Sequence, residues 1–303
     1  MIREAENVVR IEGILSETDL KYGSFEKKNS GEKVNSIGGV IKIQVNQEIN
    51  GEAVTLEVPV HMFASEYTNK GTKNPAYQSI ERIMNEYVSI AAAGGTANAD
   101  CVRITNGKIT MNEYYGQDGR LVAFPRITAS FVNKVRADEL APKAEFSTQF
   151  VVAKKLNEVD SEGIETGRYK VTGIIPQFGG RVDVVEFMTS NPKVINAISQ
   201  YWNENDTVSA VGRLNFSSRT EKVIKEVDFG DPQETTRTIS VSELVITGGS
   251  SAPLEGEFAY EMSDIQTALA ERKERLDAAK NKSANKTRPA PEKTSKGTLD
   301  LGF

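Results

Sequence analysis

Tyrosine and phenylalanine interleaved with lysine and arginine form the one pattern in this sequence with a chemistry of its own. The first cluster is Lys21, Tyr22, Phe25, Lys27 and Lys28, and the second is Tyr114, Tyr115, Arg120, Phe124 and Arg126. Further along come Lys154 and Lys155, then Arg168, Tyr169 and Lys170, then Phe178 with Arg181, and finally Arg213, Phe216, Arg219 and Lys222. Aromatic rings stack on unpaired bases at about 1–3 kcal/mol each, and lysine and arginine neutralise phosphates without reading sequence. The chemistry on offer is therefore binding of a flexible polyanion with exposed π-faces. Taken singly, an aromatic in a β protein is core and a basic residue on a strand is a solvated face. The clusters carry meaning only where a fold delivers them to one surface.

Other chemistries are poorly supplied. One histidine, His61, and one cysteine, Cys101, leave no histidine pair, no disulfide and no four-thiolate metal site. His61 stands on the polar side of an alternating segment, which predicts a solvated surface histidine. Cys101 has Asp100 beside it, a neighbour that raises a thiol pKa, and reads as an inert packing residue. There is no phosphate-loop, dinucleotide or Cys-x-x-Cys motif, and no carboxylate pair stands out for acid–base work. No enzyme, metal, cofactor or small-molecule substrate is expected.

Positioning falls to β structure. Over the first 136 residues apolar and polar positions alternate, most cleanly at Val54, Leu56, Val58, Val60 and Met62 against Thr55, Glu57, Pro59 and His61. Similar runs at Val9–Leu15, 41–45 and 127–131 bring the strands to about five, with Asn50-Gly51, Asn106-Gly107 and Asp118-Gly119 as turn signals. One helix interrupts them, opened by Asn74-Pro75 and ended by Gly94-Gly95, with Ile80, Ile83, Met84, Tyr87 and Val88 at helical spacing. Residues 146–247 repeat the order: strands at 148–155, 168–175 and 181–187, a helix opened by Asn191-Pro192 with Tyr201 and Trp202 in the core, and a last strand at 238–246. Downstream of each helix lie an acid, a valine two positions on and a Gly-basic-aliphatic triplet: Asp100, Val102 and Gly107-Lys108-Ile109, then Asp206, Val208 and Gly212-Arg213-Leu214. Duplication of one unit follows.

Three strands, a helix and two strands in about a hundred residues is the order of an OB-fold barrel, whose second and third strands and L12 and L45 loops bind oligonucleotides. The fold class read from the sequence is all-β with short helices: two five-stranded OB-fold barrels in tandem, residues 1–140 and 141–250. A linker and a helix at 251–280 follow, then a disordered tail at 281–303 with an apolar tip. Met262, Ile265, Leu269 and Leu276 give that helix an apolar side for docking on a barrel. At 303 residues and 38% hydrophobic content the chain has room for two such cores, and its 37 basic against 42 acidic residues confine nucleic-acid contact to local patches. A polar N-terminus and short apolar runs predict neither signal peptide nor membrane span, hence a cytoplasmic protein.

On this organisation the sequence resembles single-stranded-DNA-binding proteins of the tandem OB-fold type carried by bacteriophages and mobile elements. The resemblance implies a protein that coats single-stranded DNA in replication, recombination and repair within a bacterial host. It also implies that the tip Leu299, Asp300, Leu301 and Phe303 recruits a replication partner. Gly302 stands where that family has proline, and the same tip resembles the sliding-clamp-binding peptide, with Thr298 where glutamine is usual. The alternative from a different class is an assembly protein whose barrels make protein–protein contacts only.

Overall fold

Alternation of apolar and polar residues converts directly into strands. In β1 (Asn7–Glu26), β2 (Lys33–Ile49) and β3 (Glu52–Ser65), the apolar side of the alternation is buried: Val9, Ile11 and Leu15, then Ile37, Ile41 and Ile43, then Leu56, Val58 and Val60. Each such side chain removed from water contributes roughly 1.5–3 kcal/mol. The structure, a computed structural model, describes residues 2–27, 31–49, 51–116, 118–225 and 233–286, and for 218–225, 233–240 and 282–286 the backbone alone. It is mostly strand, with few short helices and one longer helix near the end.

β1 to β3 form an antiparallel meander, and β4 (Cys101–Tyr115) and β5 (Leu121–Thr128) close it into a ring. β5 runs parallel to β3 through Val60↔Ile127 and His61↔Thr128, and β4 returns onto β1 from Val9↔Gly107 to Ile14↔Cys101. A short β6 (Asn133–Val135) edges β4. The second half repeats every step. β7 (Lys143–Val159), β8 (Glu165–Pro176) and β9 (Val182–Thr189) form the meander, and β10 (Thr207–Lys225) and β11 (Gln233–Gly249) close it through β11–β9 and β10–β7.

Helix α1 (Pro75–Glu86) in the first half and α3 (Pro192–Tyr201) in the second begin alike. The Asn74 side chain accepts from Ala76 N at 3.0 Å, and Asn191 accepts from Lys193 N at 3.0 Å. The shared acid also has one job in both halves: Asp100 Oδ2 accepts from Val88 N and Asp206 Oδ2 from Asn203 N, each at 2.7 Å. Trp202 is core, as the spacing implies, whereas Tyr201 beside it is exposed.

Three further local expectations fail. The first helix stops at Glu86, where the Tyr87 hydroxyl donates to Val132 O and Val88 N turns to Asp100; Ser89 then caps a separate turn, α2 (Ile90–Ala93). Asn106-Gly107 makes no turn: the pairing steps from Ile11↔Ile104 to Val9↔Gly107, a bulge inside β4. Helix α4 (Met262–Lys286) continues past residue 280, since the sequence offers it no glycine or proline before Pro289. Its apolar side does dock, with Ile265 fully buried. None of the described helices is long and apolar enough to cross a membrane.

The rings meet through their first strands, Asn7↔Thr148 to Glu12↔Lys143, antiparallel. Glu12, fully buried, ties this junction. It takes two bonds from Arg103 at 2.7 and 2.9 Å and one from Ala141 N at 2.8 Å, with Lys143 at 3.7 Å. Those partners, foremost the Arg103 bond, hold its carboxyl down at about 2. Beyond the junction the contacts are reciprocal. The β10–β11 hairpin lies on β3, where Phe216 and Ser217 share a small hollow with Lys42, Glu57 and Pro59. The β4–β5 hairpin lies over the outer face of β8 and β9. α4 packs on β4 and β9, and Arg272 ion-pairs with the buried Glu113.

Candidate nucleic-acid interface

Because Val58, Val60 and Met62 point into the first ring, His61 and Phe63 point out. Strand pairing sets Gly38 opposite Phe63, Lys21 opposite Gly38 and Val40 opposite His61, so Lys21, Phe63 and His61 share one outward face. Phe25, four residues on from Lys21, belongs to the same side, and its ring lies 6.0 Å from that of Phe63. The parallel closure adds Thr128 beside His61, and Arg126 and Phe124 follow two and four residues back along β5. Opposite them on β4 stand Lys108, Thr110 and Asn112, Tyr114 follows opposite Val122, and the Tyr114 and Phe124 rings meet edge to face at 6.4 Å. The loop after β5 brings Phe131 over the same surface, 54% exposed.

These residues outline a depression of about 570 Å³ between Val40, His61, Phe63, Lys108, Arg126 and Phe131. Gly39 forms part of its floor, where φ is +150° and a Cβ would sit 1.9 Å from Asp19 O. Arg126 Nε is buried with no partner among the described residues. Burial, and then the charge of Arg126, holds the His61 imidazole below its ordinary value and keeps it neutral near pH 7. His61 is thus a half-buried groove residue and not a solvated one. The ion pairs Lys21–Asp19 and Lys27–Glu32 on the neighbouring arm are exposed and cheaply broken. The surface is a strip of rings and cations open to solvent.

The sequence clusters divide on this geometry. Lys21, Phe25, Tyr114, Phe124 and Arg126 reach the strip, with Lys27 exposed at the arm and Arg120 at the β4–β5 turn. Tyr22 does not, for it pairs with the inward Ile37 and its hydroxyl donates to Glu81 on α1 at 3.0 Å. Tyr115 turns the opposite way from Tyr114, toward Lys280 of α4. Phe216 is 2% exposed and cannot stack on a base: it stands in register with Val208, Ala210 and Leu214 on the inward side of β10. The Lys155 ammonium donates to Trp202 O, Tyr169 is half-buried against the core, and Arg213 Nε is buried without a partner among the described residues. Lys154 is exposed. Lys28, the side chains of Arg219 and Lys222, and the tip Leu299, Asp300, Leu301 and Phe303 lie outside the described residues.

The matching face of the second ring differs. Lys170 opposite Met188 takes the place of Val40 opposite His61, and the β4–β5 hairpin with Arg272 stands over it. Arg168 is paired with Glu243 at 2.6 Å and Glu158 at 3.4 Å, and Lys170 with Glu158 at 3.3 Å. Phe178 and Arg181 stand apart on an exposed turn. Among the described residues no cluster of histidine, cysteine or acids could hold a metal ion. Burial and Asp100 push the Cys101 thiol up, in keeping with an unreactive side chain.

A sequence model of the YorF family matches residues 5–282. The chain belongs to the YorF family. No curated protein matches this YorF-family chain. Solved structures similar to it include the wild-type single-stranded DNA binding protein from Thermus aquaticus, at a TM-score of 0.47 and 9% identity over 86% of this chain and 99% of that one. A deletion mutant of the same protein aligns at a TM-score of 0.46 and 11% identity over 84% and 97% of the two chains.

Sequence reading missed Phe63, Phe131 and the groove role of His61. The signal for Phe63 was present: it continues the series Thr55, Glu57, Pro59 and His61 as an aromatic on the polar side of a clean alternation.

Proposed function

We propose that this chain binds single-stranded DNA along the outward strip of the first ring, without sequence preference and without chemistry on the strand. The two rings are OB-fold barrels in tandem, residues 1–140 and 141–250, followed by a linker and helix. The observation that carries the reading is the co-location of Phe25, Phe63, His61, Arg126, Phe124 and Tyr114 on one continuous face. Bases stacking on Phe63 and Phe25 and phosphates meeting Lys21, Lys108 and Arg126 need no base-edge contact, which makes the binding tolerant of sequence. A duplex, whose bases present no free faces, offers these rings nothing to stack on. A role in replication or recombination of a phage or mobile element fits this activity, with the tip Leu299, Asp300, Leu301 and Phe303 as the recruiting segment.

Fluorescence anisotropy of a labelled oligo-dT against a duplex of equal length tests the proposal. The single strand should bind tightly and the duplex weakly, and Phe63→Ala should weaken single-strand binding about ten-fold. Equal affinity for both, or an unchanged Phe63→Ala, overturns it.

A further inference from the structure

Lys108 lines two depressions at once. One is the groove of the first ring, and the other, about 450 Å³, lies at the seam between the rings beside Thr110, Asn112, Phe178, Arg181 and Arg275. Phe178 is 81% exposed, more than any other large apolar side chain among the described residues. It is held out on a turn whose next two residues, Gly179 and Gly180, have φ of +79° and +80°, a backbone only glycine takes without strain. Held out in this way, the ring keeps a free face on which a base can stack. The carboxylates bordering this depression are already engaged: Glu4 by Lys108, Glu113 by Arg272, and Asp183 by Met111 N and the Gln177 amide, each at 3.1 Å. Arg181 makes no ion pair among the described residues.

We infer that a single strand leaving the first ring's groove crosses Lys108, which exchanges its solvent-exposed ion pair with Glu4 for a phosphate, into the seam, where Phe178 stacks on a base and Arg181 meets a phosphate. This rests on the proposed function and specifies its path: the second ring contributes through this turn and not through its own β8–β9 face. That face is closed to a strand by the β4–β5 hairpin. The seam is thus a second nucleotide subsite for single-stranded nucleic acid, contiguous with the first.

The test is anisotropy of the full chain with labelled oligo-dT of about 5 and about 15 nucleotides, a range spanning one barrel's site and more. Phe178→Ala should weaken binding of the longer strand about ten-fold, Arg181→Ala should weaken it a few-fold, and neither should change affinity for the shorter one. Because Phe178 is so exposed, its truncation leaves folding intact, which a thermal melt verifies. A longer strand bound equally by wild type and Phe178→Ala overturns the subsite, as does an equal loss at both lengths. Failure of wild type to bind either strand overturns the functional reading itself, and the subsite with it.

Discussion

His61 shows how a single side chain ties the groove to pH. Its imidazole is held below the ordinary histidine value by burial first and by Arg126 second, so the free protein carries it uncharged near neutrality. A phosphate laid in the groove offsets the Arg126 charge and favours the protonated form, so binding the strand takes up a proton. By linkage, affinity rises as pH falls from 7.5 through the ordinary histidine range toward the depressed value. Stability moves the other way: the unfolded chain protonates His61 first, so its contribution is present above the ordinary value and is lost as pH falls below it. The measurement is oligo-dT affinity at pH 7.5 and 5.5 for wild type and His61→Gln. The wild type should tighten several-fold on acidification beyond any change in the variant, and parallel curves would remove His61 from the groove.

At the scale of elements, the order of strands and helices was legible because each element carries its own local signature. Asn74-Pro75 and Asn191-Pro192 start helices through the same cap, and the alternation from Val54 to Met62 is β3 itself. The junction between the rings was not legible. It depends on β1 meeting β7, two segments over a hundred residues apart, and on Glu12 finding Arg103 and Ala141, none of which a local pattern encodes. Similarly, the parity that separates Tyr114 from Tyr115 and Phe25 from Tyr22 follows from register, which the bulges at Leu15/Glu17 and within β4 reset. Glu12 offers a test of the junction. Its carboxyl stands at about 2 against an ordinary 4.5, so its stabilisation is present in full above 4.5 and fades as pH falls toward 2. Allowing for the partly exposed Arg103, Glu12→Gln should cost about 2–3 kcal/mol at pH 7. Urea midpoints of wild type and variant should converge between pH 4.5 and 2; a constant gap would mean that the carboxylate's charge is not what holds the junction.

For the whole molecule, the consequence is asymmetry. Two rings of one topology meet reciprocally, yet the first, covered at Lys42, Glu57 and Pro59 by the β10–β11 hairpin, leaves its outward face open from His61 to Phe63, while the second has Lys170 and Met188, at the matching place, under the β4–β5 hairpin. A net charge of −5 means that no global field draws a polyanion in, so attraction must come from the few cations that face the strip. Counterion release converts that count into a slope. Lys21, Lys108 and Arg126 on the first ring with Arg181 at the seam give about four phosphate contacts, hence a slope of log affinity on log salt of about −3 for a single strand. Were all thirteen basic residues of the sequence clusters engaged, both rings would bind as equals and the slope would approach about −9. Oligo-dT titrations between 50 and 300 mM salt separate the two by nearly two orders of magnitude in affinity for each doubling of salt. A shallow slope that flattens further in Arg126→Ala, and not in Lys154→Ala, is expected of a strand held by one open face and its seam. A steep slope that both variants reduce equally would restore the second ring as a full partner and leave its covered face to open on binding.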